Sequence, residues 1–340
     1  MSRRLVQAGV LLLIGILILV GLLKAVNPGL VLAAMRDASP GWIALSVLCL
    51  TGFIGLRGIR WTIILRASRP GLGHADPTAI TAVGFAVNSV APFKIGDLLR
   101  LGSLAQRASI GVGEAGATVV LERILDVFGL LALAAAFAVS SGSAGRGGGL
   151  WGGVIIFALI TGLIGLCGAL VVAHEQQALL WWNRLLQRLP RAVRKRGQNL
   201  GASVILGLQC LRSPRRLVVI TGLTLIIWLL AVFTNFAYFR AVTEQLPAAT
   251  LLLALTLFAV STAVSVTPGS VGTYEGFFLL VLGGFGAGPP ATVAAAAVLS
   301  HVGGIVTLLA CGFFGALWLR LRRAAPPVRL HRALAGEDGS

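Results

Sequence analysis

Asn88-Ser-Val-Ala-Pro92-Phe-Lys94-Ile-Gly96-Asp97-Leu-Leu-Arg100 interrupts one long apolar run, and Ser265-Val-Thr-Pro268-Gly269-Ser-Val-Gly272-Thr-Tyr-Glu275 interrupts another in the second half of the chain. The two stretches resemble each other. Pro92 and Gly96 match Pro268 and Gly272 at a single offset, and Ala86-Val87-Asn88 and Ala263-Val264-Ser265 precede them. Proline lacks a backbone donor and glycine admits dihedrals closed to other residues, so each stretch stops a helix. In lipid, broken backbone beside charge is tolerated only where protein buries it or where it lines a cavity. A repeated break therefore points to a substrate site.

The surrounding sequence sets the medium. Of 340 residues, 57 % are hydrophobic and 11 % charged, against about a quarter charged in soluble domains. This predicts an all-α polytopic membrane protein. Six stretches approach or exceed the roughly 20 apolar residues a spanning helix needs: about Leu5–Leu23, Gly41–Leu56, Ala117–Ser140, Leu150–Ala173, Leu217–Tyr238 and Ala291–Leu319. Two more, Thr78–Pro92 and Ala249–Pro268, run into the breaks. Arg3 and Arg4 before the first run suggest a signal peptide, but the run is too long for one and no clear cleavage site follows. A retained first helix is expected. Cys49, Cys167, Cys210 and Cys311 are scattered, with no C-x-x-C spacing and no disulfide framework.

The net charge of +17 raises a nucleic-acid reading, which the distribution of the charge removes. Basic clusters fall at Arg3/Arg4, Arg57/Arg60/Arg66/Arg69, Arg100/Arg107, Arg184 to Arg216 and Arg320 to Arg332. The alternate connections carry only Lys24, Arg36, Arg146 and Arg240. Positive-inside bias accounts for this pattern and puts both termini on the cytoplasmic side of an inner membrane. Tracing the spans from there leaves the two broken segments without a net crossing. The expected fold is six full spans plus two re-entrant hairpins, one from each face, related as an inverted repeat. Transporters commonly place their site where such repeats meet. The helices after the breaks align at two offsets; the preferred one superposes Val120-Leu121-Glu122-Arg123 on Val298-Leu299-Ser300-His301. Residues 1–325 form the membrane domain. Within it, 174–216 is a basic cytoplasmic segment lying in the interface, apolar face down, and 326–340 is a short disordered cytoplasmic tail.

Several side chains in this frame can carry chemistry. At the first break, free backbone donors with Lys94 and Arg100, and Asp97 to hold one of them, suit a phosphate; an interfacial turn with snorkelling side chains is the plainer alternative. Glu122 and Asp126 share one helical face and can orient Arg123, Lys94 or Arg100, or else cap the helix end. Ionisable groups within a span face a cavity or one another. Pro268, Gly269 and Gly272 repeat the break, with Glu275 as its only acid. His301 lies near mid-membrane, where an imidazole can respond to a proton or a phosphate, or serve as a structural hydrogen-bonder. Arg57, Arg60 and Trp61 close the second helix, where topology alone also accounts for them. No H-E-x-x-H, Walker loop, G-x-S-x-G or metal-ligand spacing occurs. No enzyme, metal or cofactor is expected.

Arg60-Trp61, Asn88-x3-Pro92-x3-Gly96-Asp97-x2-Arg100, Glu122-Arg123-x2-Asp126 and Pro268-Gly269-x2-Gly272-x2-Glu275, in this order, resemble the lysylphosphatidylglycerol synthase transmembrane-domain family of flippase-like membrane proteins. The resemblance covers nearly the whole chain. It implies an eight-segment membrane domain that, in aminoacyl-phospholipid synthases, moves the modified lipid between leaflets. No soluble transferase domain is expected after the last span, so synthase activity is not carried over. The family commonly has Arg where His301 stands here. Stand-alone members are associated with polyprenyl-linked glycan or hopanoid pathways.

The expected function is a lipid translocase. The phosphate of an anionic or zwitterionic phospholipid, or of a polyprenyl phosphate, would sit at Lys94, Arg100 and Arg123. Asn88, Arg57, Arg60, Asp97, Glu122, Asp126, Glu275 and His301 complete the candidate substrate site, and Pro92, Gly96, Pro268, Gly269 and Gly272 form its breaks. Membrane lipids are the expected partners, with a lipid- or glycan-modifying enzyme as a further one and no nucleic acid. A proton- or ion-coupled transporter of a small solute, and a non-transporting scaffold for such an enzyme, are the competing readings.

Overall fold

The computed structural model describes residues 3–91, 94–108, 110–142, 159, 162–163, 166–187, 190–262 and 267–323, and every regular element among them is helical. A bilayer selects helices because each satisfies its own backbone donors and acceptors. In order they are α1 (Arg3–Ala25), α2 (Pro28–Arg36), α3 (Pro40–Leu65), α4 (Ala75–Val90), α5 (Ile95–Ala108), α6 (Val112–Ser140), α7 (Glu175–Leu186), α8 (Arg191–Leu208), α9 (Pro214–Val242), α10 (Ala248–Ser261), α11 (Thr273–Gly284) and α12 (Pro290–Arg323). Residues 166–173 are also helical. Among the described residues, α3, α9 and α12 are each long and apolar enough to cross a membrane. Leu17, Leu48, Val218, Leu280, Val306 and Phe314 point outward and exposed, as expected of side chains solvated by lipid.

α3 packs along α9 and α12 along α4, the two most extensive helix pairings. The α12–α4 contact is close because Gly312 and Gly315 lie directly on Ala79, Ala82 and Ala86. Small residues let helix backbones approach in this way in membranes. The stretch 24–40, expected as a plain connection, contains α2, set at 87° to α1. Asn27 and Pro28 explain it: Asn27 Oδ1 accepts from Gly29 N–H at 3.1 Å, and Pro28 opens the helix. Val31 of α2 then buries against Ala294 and Ala295 of α12.

Both breaks lie between pairs of short helices. α4 and α5, of 16 and 14 residues, run antiparallel. Gly96 packs on the carbonyl of Gly84, and Gly84 on the Arg100 stem. Asn88 accepts from Gly96 N–H at 2.8 Å and donates to Asp97 at 3.1 Å. α4 ends with Ala91 extended (φ −89, ψ 145), the conformation favoured before a proline. Pro92 itself lies outside the described residues, and Lys94 has φ 51. α10 and α11, of 14 and 12 residues, pack through Phe258, edge-on to Tyr274 and Phe278 at 4.9 and 5.0 Å between centroids. Between them Pro268–Ser270 forms a 3-10 turn with Gly269 at φ 62, and Gly272 (φ 76) precedes α11. The positive φ at both glycines is the backbone need the sequence signalled. Ala263 to Val266 lie outside the described residues.

The described residues of the basic segment 174–216 are mostly helical. α7 and α8 pair through Trp182 Nε1–H donating to the Gly197 carbonyl at 2.8 Å, and Gly207 of α8 lies against Glu114 and Ala117 of α6. Leu180, Trp181 and Leu185 stay exposed on α7. Most of the expected Leu150–Ala173 span, and the whole tail 326–340, lie outside the described residues.

Candidate functional site

Two polar clusters stand inside the helix bundle. In the first, Arg57 and Arg60 come from α3, Arg100 from α5, and Glu122 and Asp126 from α6. All five are buried, with between 0 and 4 % of their surface exposed. At 1.5 Å per residue, Glu122 and Asp126 stand roughly 15 and 21 Å along α6. Asp126 accepts from Arg57 Nη2 at 2.7 Å, from Arg60 Nη2 at 2.8 Å and from Trp228 Nε1–H at 3.2 Å. Glu122 accepts from Arg100 at 2.8 Å and from Arg60 at 3.4 Å, and Arg60 also donates to Thr224 at 2.9 Å. Aromatic faces cover the cations: Arg57 lies 4.9 Å from the Phe53 ring and 5.1 Å from Phe85, and Arg100 lies 4.4 Å from Trp61.

Three guanidinium groups against two carboxylates leave this buried cluster one positive charge in excess. A second layer lies nearer the surface. Arg123, 42 % exposed by side chain, pairs with Asp97, and Asp97 is held by Asn88. Lys94 is exposed at the same turn.

The second cluster belongs to the other break. Glu275 Oε2 accepts from Gly272 N–H at 2.8 Å, closing the start of α11. Its Oε1 meets His301 Nδ1 of α12 at 2.7 Å, while His301 Nε2 lies 2.8 Å from the Gly269 carbonyl. A carbonyl oxygen only accepts, so Nε2 carries a hydrogen. Tyr274 stacks on the imidazole at 4.4 Å and 15°, donates to Asn235 Oδ1 at 2.7 Å and shares a hydrogen bond with Ser300 at 3.1 Å.

The breaks meet. Gly269 lies against the Ser89 carbonyl at the end of α4, and a cavity of about 240 Å³ opens there. Its polar lining includes Asn88, Ser89, Asn235, Ser270, Tyr274 and His301, with Phe53, Ile305 and Leu308 among its apolar walls. Asn88 joins the two clusters, since it faces this cavity and also holds Asp97. Among the described residues no group of three or more His, Cys, Asp or Glu side chains is arranged to hold a metal ion.

Residues 6–312 match the family model described as the lysylphosphatidylglycerol synthase TM region. The chain belongs to this family. Two curated relatives extend the comparison. A UPF0104 membrane protein of Methanothermobacter thermautotrophicus is 23 % identical over 86 % of this chain and 90 % of its own length. Glycosyltransferase AglD of Haloferax volcanii is 27 % identical over 84 % of this chain. The match covers 51 % of that glycosyltransferase, so the chain spans about half of its length.

In this family member the sequence-selected residues divide by accessibility. Arg57, Arg60, Arg100, Glu122 and Asp126 are turned toward one another, whereas Lys94 and Arg123 face outward. Glu122 and Asp126 orient Arg57, Arg60 and Arg100; Arg123 takes its short contact from Asp97. Pro268, Gly269 and Gly272 lie between α10 and α11, whereas Gly96 is the second residue of α5 and does not interrupt it. Sequence reasoning missed Thr224, Trp228, Asn235, Tyr274 and Ser300. Asn235 carried a signal, being a lone carboxamide deep in an apolar span. So did Tyr274, one of only two tyrosines and adjacent to Glu275.

Proposed function

We propose that this protein is a lipid translocase, not an enzyme, that moves a phosphate-bearing lipid between the leaflets of a cytoplasmic membrane. The observation that carries this reading is the cavity formed where the two broken segments touch, a largely apolar space into which amides, hydroxyls and an imidazole are set. In a membrane protein, amides and hydroxyls gathered beside broken backbone suit a polar group in transit.

The fold supports the reading in two ways. At 12 to 16 residues, α4, α5, α10 and α11 are roughly 18 to 24 Å long, short of the roughly 30 Å of hydrocarbon. They suit re-entrant hairpins that enter from opposite faces as an inverted repeat, with both termini cytoplasmic. The head group would lie in the cavity among Asn88, Asn235 and Tyr274, its phosphate toward Lys94 and Arg123, and its chains in the bilayer. The buried Arg57, Arg60, Arg100, Glu122 and Asp126 would form a fixed base whose surplus positive charge favours an anion nearby. Membership of this family and the likeness to a glycosyltransferase fit a phospholipid or polyprenyl phosphate-linked lipid, handed over by a lipid- or glycan-modifying enzyme.

The test is translocation in proteoliposomes, with the native lipid first identified by mass spectrometry of the purified protein. Movement that depends on Lys94 and Arg123 supports the assignment. Movement untouched by their loss refutes it.

A further inference from the structure

We propose that Glu275 and His301 form a proton-binding site that latches the second break to α12, so that the hairpin tip is held when one proton is bound and freed when it is lost. The latch follows from which atoms face each other. Nε2 must carry a hydrogen because it meets the Gly269 carbonyl. At 2.7 Å, Nδ1 and Glu275 Oε1 can share a contact only if one proton lies between them. That proton makes the pair either imidazolium with carboxylate or neutral imidazole with carboxylic acid. Both forms have zero net charge, which suits a pair only 8 and 3 % exposed.

Removing the proton leaves a lone pair on Nδ1 against a carboxylate oxygen, and the contact becomes repulsive. Glu275 keeps its bond from Gly272 N–H, so it stays with the tip while His301 stays with α12. The Gly272 end of the tip and α12 therefore separate, while Nε2–H still holds the Gly269 carbonyl. The pair touches both ends of the turn, through Gly269 on one side and Gly272 on the other, and the shared proton governs the Gly272 end.

The surroundings leave this proton to the pair. α11 contributes Tyr274, stacked flat on the ring, and α12 contributes Ser300. Asn235 comes from α9, Asn88 and Ser89 from α4, and Ser270 from the turn. Tyr238 of α9 lies against Gly303, two residues beyond the imidazole. Among the described residues no further charged side chain lines the cavity that His301 faces; Asp97 and its partner Arg123 stand behind Asn88. Protons reach the site through that cavity. This ties the inference to the translocase reading, for which the latch would supply proton coupling.

The experiment reads the latch without lipid movement. Protein labelled with ¹⁵N-histidine is placed in vesicles of phosphatidylethanolamine and phosphatidylglycerol. The His301 ring nitrogens are assigned by their loss in His301→Gln and followed with pH, alongside amide hydrogen exchange over 267–276 corrected for its intrinsic pH dependence. We expect Nε2 to stay protonated, one proton to leave the pair as pH rises, and exchange to accelerate up to about tenfold per pH unit beyond that point. Glu275→Gln, whose amide donates to Nδ1 without a bound proton, should keep the segment protected at every pH. A His301 that carries its hydrogen on Nδ1 alone, or a titration that leaves protection unchanged, overturns the latch. So does a Glu275→Gln profile identical to the wild type. If the latch holds and the lipid identified by mass spectrometry of the purified protein still does not move, the translocase reading fails and the proton site stands.

Discussion

Arg57 on α3 and Asp126 on α6 meet at 2.7 Å with 2 and 4 % of their surfaces exposed, and Asp126 is shared with Arg60 at 2.8 Å. Two guanidinium groups thus depend on one buried carboxylate. Breaking such an arrangement from one side strands charge in a medium that solvates it poorly.

Asp126→Asn should therefore be strongly destabilising, by about 3 to 5 kcal/mol. The check is unfolding of the purified protein in detergent, where a variant as stable as the wild type would show that the network is not structural.

Trp61 offers a milder break in the same region. Its Nε1–H donates to Thr118 at 3.0 Å and its ring lies 4.4 Å from the Arg100 guanidinium. Trp61→Phe removes the hydrogen bond and weakens the stacking, and a loss of about 1 to 2 kcal/mol is expected in the same assay.

Two glycines on α5 should respond with opposite signs. Gly96 lies on the Gly84 carbonyl and the Asn88 side chain, whereas Gly102 has open space around its α-carbon. Gly96→Ala should separate α4 from α5 and abolish function. Gly102→Ala should stabilise its helix by about 0.5 to 1 kcal/mol. Thermal midpoints of the two variants measured side by side decide this.

These contrasts mark what could be read from the chain. The long apolar runs of α3, α9 and α12 were legible because hydrocarbon thickness dictates their length, and the second break because proline and glycine act locally. α2 was missed although Asn27-Pro28 is a local signal, since its apolar content is too short to suggest a span. The pairing of Arg57 and Arg60 with Asp126 was not legible. Both arginines end a span on the basic side, and positive-inside bias explains them equally well until α3 and α6 are seen to touch. Asn235 and Tyr274 join the cavity for the same reason: the packing of both α9 and α11 on α12 brings them to the break, and no local pattern encodes it.

Outward-facing cations should behave differently from buried ones. Arg123 is 42 % exposed by side chain and pairs with Asp97, so its removal should change stability by no more than about 1 kcal/mol. A larger loss of fold in Arg123→Ala would assign it to the scaffold with Arg57 and Arg60.

The central claim is that the meeting point of the two breaks carries a phosphate-bearing lipid across the membrane. The most direct measurement is translocation of that lipid in proteoliposomes by wild type, Arg123→Ala and Lys94→Ala proteins of equal stability. Rapid movement by the wild type and at least about a tenfold loss in each variant are expected, a barrier change of roughly 1.4 kcal/mol. Equal movement by all three, or none above protein-free vesicles, would contradict it.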